Sequence, residues 1–366
     1  MEIILEDNTR FNGNSFGARK RTSGEVVFST GMVGYVESLT DPSYKGQILV
    51  LTYPLIGNYG VPDASFFESK KIHASGLVVS EYSESYSHTT ALHSLGAWLK
   101  KEGVPAITGV DTRALTKKLR EKGTMLGALT FNGKKGTLYD PDTENQVTKV
   151  SPAEVTEHGT GPVAIVLVDC GSKENIARLL QKDKPDVRVI RVPWNYDFTT
   201  LEYDGILISN GPGDPMFCKS TIANIQKAYV KKKPMLGICL GTQLMALATG
   251  AKTYKMKYGH RSHNQPCIDM IGGTRCYITS QNHSFAVDEK TLPHAWKVWM
   301  ENANDGTVEG IMHRTLPFKA VQFHPEASPG PTDTEWIIEE FVQEVKRQKS
   351  KGTRASQKAL KDKKSA

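Results

Sequence analysis

Gly237-Ile238-Cys239-Leu240-Gly241 sets a thiol between two glycines, directly after the apolar run Pro234–Leu236 and at the head of a helical pattern. Flanking glycines permit the sharp strand-to-helix turn that presents a nucleophile. At a helix N-terminus the macrodipole favours a thiolate. A lone cysteine is also a common small core residue, so the thiol counts as reactive only with partners. Phe318–Phe323 reads as a strand that delivers His324-Pro325-Glu326 at its end. There His324 can take up and return a proton, while Glu326 fixes its tautomer and supports the imidazolium. Ser209-Asn210-Gly211-Pro212-Gly213-Asp214-Pro215 ends another strand in a turn. Its glycines let backbone N–H groups approach a carbonyl and form an oxyanion hole with the N–H of Leu240. Gln281–Phe285 offers polar groups suited to the charged end of an amino acid. Taken singly, the last three stretches also read as ordinary turns or loops.

The elements that must position these residues follow an α/β pattern. After residue 162, apolar runs alternate with helical segments. Strands are predicted over 163–171, 187–194, 203–208 and 234–241, and helices over 173–183, 221–233 and 242–252. Continuous apolarity in the strands marks a doubly wound parallel sheet covered on both faces. Ligand sites in such sheets lie beyond the carboxyl ends of the strands, where all four motifs fall. The first part mixes short strands (25–30, 47–54, 76–81) with two helices, 89–103 and 111–123, as expected of a mixed β/α domain. The predicted boundaries are a domain over 1–130, a polar linker over 131–161, a second domain over 162–345 and a tail over 346–366.

Composition limits the functions available. Among 366 residues the net charge is +7, but the tail from Lys346 carries nine Lys or Arg against one Asp. The excess therefore belongs to a segment expected to be a disordered tail or interdomain linker, not to a nucleic-acid-binding face. Five cysteines (Cys170, Cys218, Cys239, Cys267, Cys276) form no CxxC pair, which suits a reducing compartment, and the cytoplasm is expected. No apolar stretch suggests a membrane span or a signal peptide. His260, His263 and His283 invite a metal reading, but no Cys or carboxylate spacing completes the set, so no metal is expected.

Together, GxCLGxQ, SNGPGDP, QNHxFAV and HPEASPGP, in this order, resemble the class I (triad) glutamine amidotransferases. GEVVFSTGMVGYVESLTDPSYKGQILVLTYPLIGNYG (24–60), ITGVDTRALTKKLRE (107–121) and GHRSHNQP (259–266) narrow this to the carbamoyl-phosphate synthetase small subunit or its fused equivalent. The resemblance implies Cys239 as nucleophile with His324 and Glu326 as partners. It implies glutamine contacts at Ser43, Gly211, Gly213, Leu240, Gln243, Asn282, Ser284 and Phe285. It also implies ammonia delivery through a tunnel to a large synthetase subunit or domain, which uses ATP, Mg2+ and bicarbonate for pyrimidine or arginine synthesis. No GxxxxGK[ST] loop occurs in this chain, so no cofactor of its own is expected. The alternatives are an amidotransferase for another synthetase and an idle regulatory subunit. Two positions depart from the family: Thr242 replaces a usual His or Asn, and Ser284 a usual Gly. If position 284 requires a positive φ, its serine costs on the order of 1 kcal/mol.

Overall fold

The computed structural model describes residues 1–273 and 275–364, with side chains described as far as Gly352. Two sheets organise the chain, eight-stranded and ten-stranded among the described residues. The first sheet has a parallel centre in which Thr22–Ser29, Gln47–Leu51, Gly76–Val78 and Ala106–Thr108 lie side by side. Met125–Thr130 and Glu2–Leu5 extend it antiparallel. The helix predicted over 89–103 is shorter, Leu95–Lys101, because Ser94 caps it by accepting the Ala97 N–H. The second helix, Thr112–Lys122, begins where Asp111 accepts the Ala114 N–H at 2.8 Å and ends at Gly123.

The second sheet is parallel only at its core. Val187–Pro193, Val163–Asp169, Gly205–Ile208, Met235–Ile238 and Phe318–Val321 pair in that order. The doubly wound arrangement then continues into four antiparallel strands that the sequence reading did not foresee. They are Val308–His313, Trp296–Asn302, Thr253–Asp269 and Cys276–Val287. The last two form a long hairpin, and Gln281–Phe285 lies inside its second strand, not in a turn.

Packing on the parallel core is close. The helix Leu240–Ala248 is buried along almost its whole length between the strands and the helix Lys219–Tyr229. Ile337, Ile338, Phe341, Val342 and Val345, at helical spacing, cover the other face. A Cβ at Gly205 would meet Val345 at 2.4 Å, so this glycine lets the final helix lie against the strand. Each such buried aliphatic side chain contributes about 1.5–3 kcal/mol.

Two expectations need correction. The 131–161 segment is more than a spacer. Its turns at Pro141–Thr143 and Gln146–Lys149 are tucked in, with Gln146 and Val147 buried, and Thr156–His158 joins the second sheet. The tail from Lys346 was expected to be a disordered tail or an interdomain linker; the helix that starts at Trp336 runs through it to Lys364, which corrects the first of these. Lys346 pairs with Asp186 at 2.8 Å and Lys349 with Asp204 at 2.6 Å, so the first turns of the basic segment are fixed by ion pairs. Residues 365–366 lie outside the described residues.

Candidate active site

Cys239 ends the strand Met235–Ile238 and precedes the helix Leu240–Ala248, with φ 53° and ψ −104°. A non-glycine residue held there stores about 1–3 kcal/mol, which only a closely packed surrounding maintains. The neighbouring glycines explain the packing. A Cβ at Gly241 would lie 2.2 Å from the Ile208 carbonyl, and one at Gly237 would lie 2.8 Å from Gly241. Leu240 opens the helix, so its N–H has no partner within it. Gly211 packs under the Leu240 side chain, and Gly213 turns at φ 84°. The glycine loop and the helix start therefore lie side by side, as an oxyanion hole requires.

The parallel strand Phe318–Val321, next to the strand that ends before Cys239, leads to His324 and Glu326. His324 Nδ1 bonds Glu326 Oε1 at 2.6 Å, leaving Nε2 buried and without another partner, on the side of Cys239. Burial pulls the imidazole down, but Glu326 and then Cys239 lift it to about 10. Burial pushes the Glu326 carboxyl up, and Lys173 and His324 overcome this and hold it at about 2. Lys173, only 2 % exposed, places Nζ 3.1 Å from Glu326 Oε1 and also donates to the Ala327 carbonyl. The result is a buried, charge-paired cluster behind the thiol. His263, beside it, is kept neutral: burial, Lys173 and His324 lower its pKa to about 4.

One cavity next to Cys239 is walled by Ser43, Gly211, Gly213, Gln243, Asn282, Ser284 and Phe285. Leu240 contributes by packing on Gly211 and does not itself line the wall. Ser43 comes from the first domain: Asn210 Nδ2 donates to its Oγ at 2.9 Å, and Asn282 Nδ2 donates to Asp41 at 2.9 Å. Gln243 Nε2 donates to the Phe285 carbonyl at 3.0 Å, tying the helix Leu240–Ala248 to the hairpin. Glu68 fastens the two domains nearby, accepting from Arg178 at 3.0 Å and from Ser328 at 2.7 Å.

The two departures from the family have structural accounts. Thr242 does not face the cavity; its hydroxyl donates to the Val321 carbonyl at 2.6 Å and pins the end of the His324 strand. Ser284 sits in extended strand and is not among the positive-φ residues, so the strain expected of a serine there does not arise. Its Oγ accepts a bond from Arg261.

Several residues of the site were not singled out from the sequence. Asp41, Lys173, Asn210 and Arg261 reach it through the fold, and only their neighbours mark them: Asp41 stands two residues before Ser43, and Asn210 lies inside the glycine-loop motif. The histidines weighed as metal ligands separate. His260 and His283 converge on Glu309, which burial hides entirely, whereas His263 lies apart beside Lys173 and His324. His260 lies 3.3 Å from Glu309 and 2.8 Å from Asp305. Burial works against its charge, but these carboxylates raise its pKa. Glu309 is the carboxylate that sequence spacing did not show beside His260 and His283.

No helix among the described residues is long and apolar enough to cross a membrane. Residues 166–344 match the family model of glutamine amidotransferase class-I, and residues 3–129 match that of the carbamoyl-phosphate synthase small chain, CPSase domain. The chain is 49% identical to the multifunctional protein URA2 of Saccharomyces cerevisiae, over 94% of its own length and 17% of that protein. It is 51% identical to the multifunctional protein CAD of Squalus acanthias, over 93% and 16%. To the mitochondrial carbamoyl-phosphate synthase (ammonia) of Homo sapiens it is 48% identical, over 95% and 24%. It thus spans between about a sixth and a quarter of the length of these relatives. With the two models matched in order along it, the chain belongs to the carbamoyl-phosphate synthase small-chain family and carries a class I glutamine amidotransferase domain.

Proposed function

We propose that this chain hydrolyses the side-chain amide of glutamine and passes the ammonia to a synthetase that makes carbamoyl phosphate. The observation that carries this reading is Cys239 held at φ 53° in a cavity wall, with the buried His324–Glu326 pair behind it. Glutamine enters the cavity and its amide carbon is attacked by the Cys239 thiolate. The oxyanion of the tetrahedral intermediate takes hydrogen bonds from the Leu240 N–H and the Gly211–Gly213 loop. Collapse breaks the C–N bond, and the leaving nitrogen takes its proton from the His324 imidazolium. The neutral imidazole then accepts a proton from water, which attacks the glutamyl thioester and frees glutamate and the thiol. Glu326 and Lys173 keep the imidazole oriented throughout.

The synthetase partner is a large subunit or a fused domain, and ATP, Mg2+ and bicarbonate are used there. The relatives named above are multifunctional proteins or carbamoyl-phosphate synthases several times longer than this chain, which supports such a partner. The carbamoyl phosphate would serve pyrimidine synthesis, arginine synthesis or both. Substituting Cys239→Ala in the complex with the synthetase should abolish glutamine-dependent carbamoyl phosphate synthesis and leave ammonia-dependent synthesis intact. Retention of the glutamine-dependent rate would remove Cys239 from the nucleophile's role.

A further inference from the structure

Arg261 lines the same cavity as Cys239 and is 5 % exposed. It stands opposite Asn282 in the hairpin register, so the strand pairing sets its side chain beside the substrate wall. Its hydrogen-bond partners are neutral: Nη1 donates to the Tyr258 carbonyl at 2.8 Å and Nη2 to the Ser284 hydroxyl. Nε is buried and has no partner. Among the described residues Arg261 forms no ion pair. The nearby carboxylates of Glu25 and Asp142 are both held by Lys255, the first at 2.7 Å. Glu25 and Asp142 line the same cavity and act on Arg261 from a distance, but neither pairs with it among the described residues, and burial still lowers its pKa. A buried guanidinium gains from a carboxylate that bonds it directly. The contrast with Lys173, which the protein provides with Glu326, is direct.

Given the glutaminase reading above, we infer that Arg261 receives the α-carboxylate of the amino-acid substrate and is the residue that separates glutamine from simple amides. A carboxylate suits it for two reasons. The guanidinium fork binds carboxylates in two-point geometry, and the unused Nε–H supplies a donor beside the Nη groups. Ser284 then acquires a role: its hydroxyl fixes one arm of the fork at a position where a glycine could not. Arg261 could instead be only a strut between Tyr258 and Ser284, and the two roles predict different kinetics.

The test compares kcat/KM for glutamine and for 4-aminobutanamide, which keeps the amide and the amino group and lacks the carboxylate. Wild type, R261M and R261K are assayed with the synthetase partner present. R261M should lower kcat/KM for glutamine about 100-fold, mostly through KM, while that for 4-aminobutanamide stays within about threefold. R261K, which keeps the charge and loses the fork, should fall about 10-fold on glutamine alone. An equal fall on both amides identifies a strut and overturns the inference, as does no fall on either. If R261M does not fold, the ratio of the two substrates in R261K decides the matter. A wild type with normal ammonia-dependent synthesis that hydrolyses neither amide overturns the glutaminase reading itself. A glutaminase with an unchanged substrate ratio overturns only the role of Arg261.

Discussion

The two sides of Cys239 treat charge differently. Behind the thiol, His324, Glu326 and Lys173 form a buried chain of alternating charge, complete within the protein. In front of it, Arg261 is just as deeply buried but finds only a hydroxyl and a carbonyl. A rear face with its own counter-ions keeps its geometry whether or not substrate is present. A front face whose guanidinium has carboxylates nearby but none bonded to it gains most when the substrate supplies one that bonds. Position in the fold, not residue type, produces this difference, since a lysine and an arginine are both nearly inaccessible here.

The largest expected effect comes from breaking the rear face. Glu326→Gln leaves Lys173 without its carboxylate and should cost about 3 kcal/mol in urea unfolding at neutral pH. It should also cut glutamine hydrolysis by on the order of 100-fold, because the imidazole loses its orienting partner. The pH sign sharpens the claim. The folded Glu326 has its pKa lowered from 4.5 to about 2, so its stabilisation is present above pH 4.5 and is lost as pH falls toward 2. The deficit of the variant should shrink over that same interval, and a constant deficit would assign it to packing. A smaller effect concerns His263, kept neutral beside the same cations. Its folded pKa of about 4 lies below the ordinary 6.5, so its contribution is present above pH 6.5 and is lost as pH falls toward 4. His263→Asn should reduce the acid-induced loss of stability between those values by about 3 kcal/mol, read as Tm against pH. An unchanged Tm profile would remove His263 from that account.

The triad candidates behind the thiol and most of the cavity wall in front of it were legible in the sequence, whereas Lys173 and Arg261 were not. Cys239, His324, Glu326 and the Gly211–Gly213 turn announce themselves because strand ends, glycines and a proline lie within a few residues of each. Arg261 was passed over although its stretch was quoted as a motif. It lies in a polar stretch, GHRSHNQP, whose strand character comes from pairing with Cys276–Val287 and from packing that no apolar alternation records. Lys173 reads as the solvent-facing start of a helix, and only the fold carries Glu326 to it from 153 residues away. The tail misled for the opposite reason. Its composition suits a solvated segment, but the preceding turns bury Phe341, Val342 and Val345, and the helix they nucleate extends into it.

The most direct test is to quench the complex in acid during turnover of glutamine and weigh the peptide that carries Cys239. The account predicts a glutamyl adduct on that peptide alone, absent from Cys239→Ala and removed by hydroxylamine as a thioester is. Full glutamine turnover with no adduct on Cys239 under these conditions, or an adduct on another residue, would contradict it.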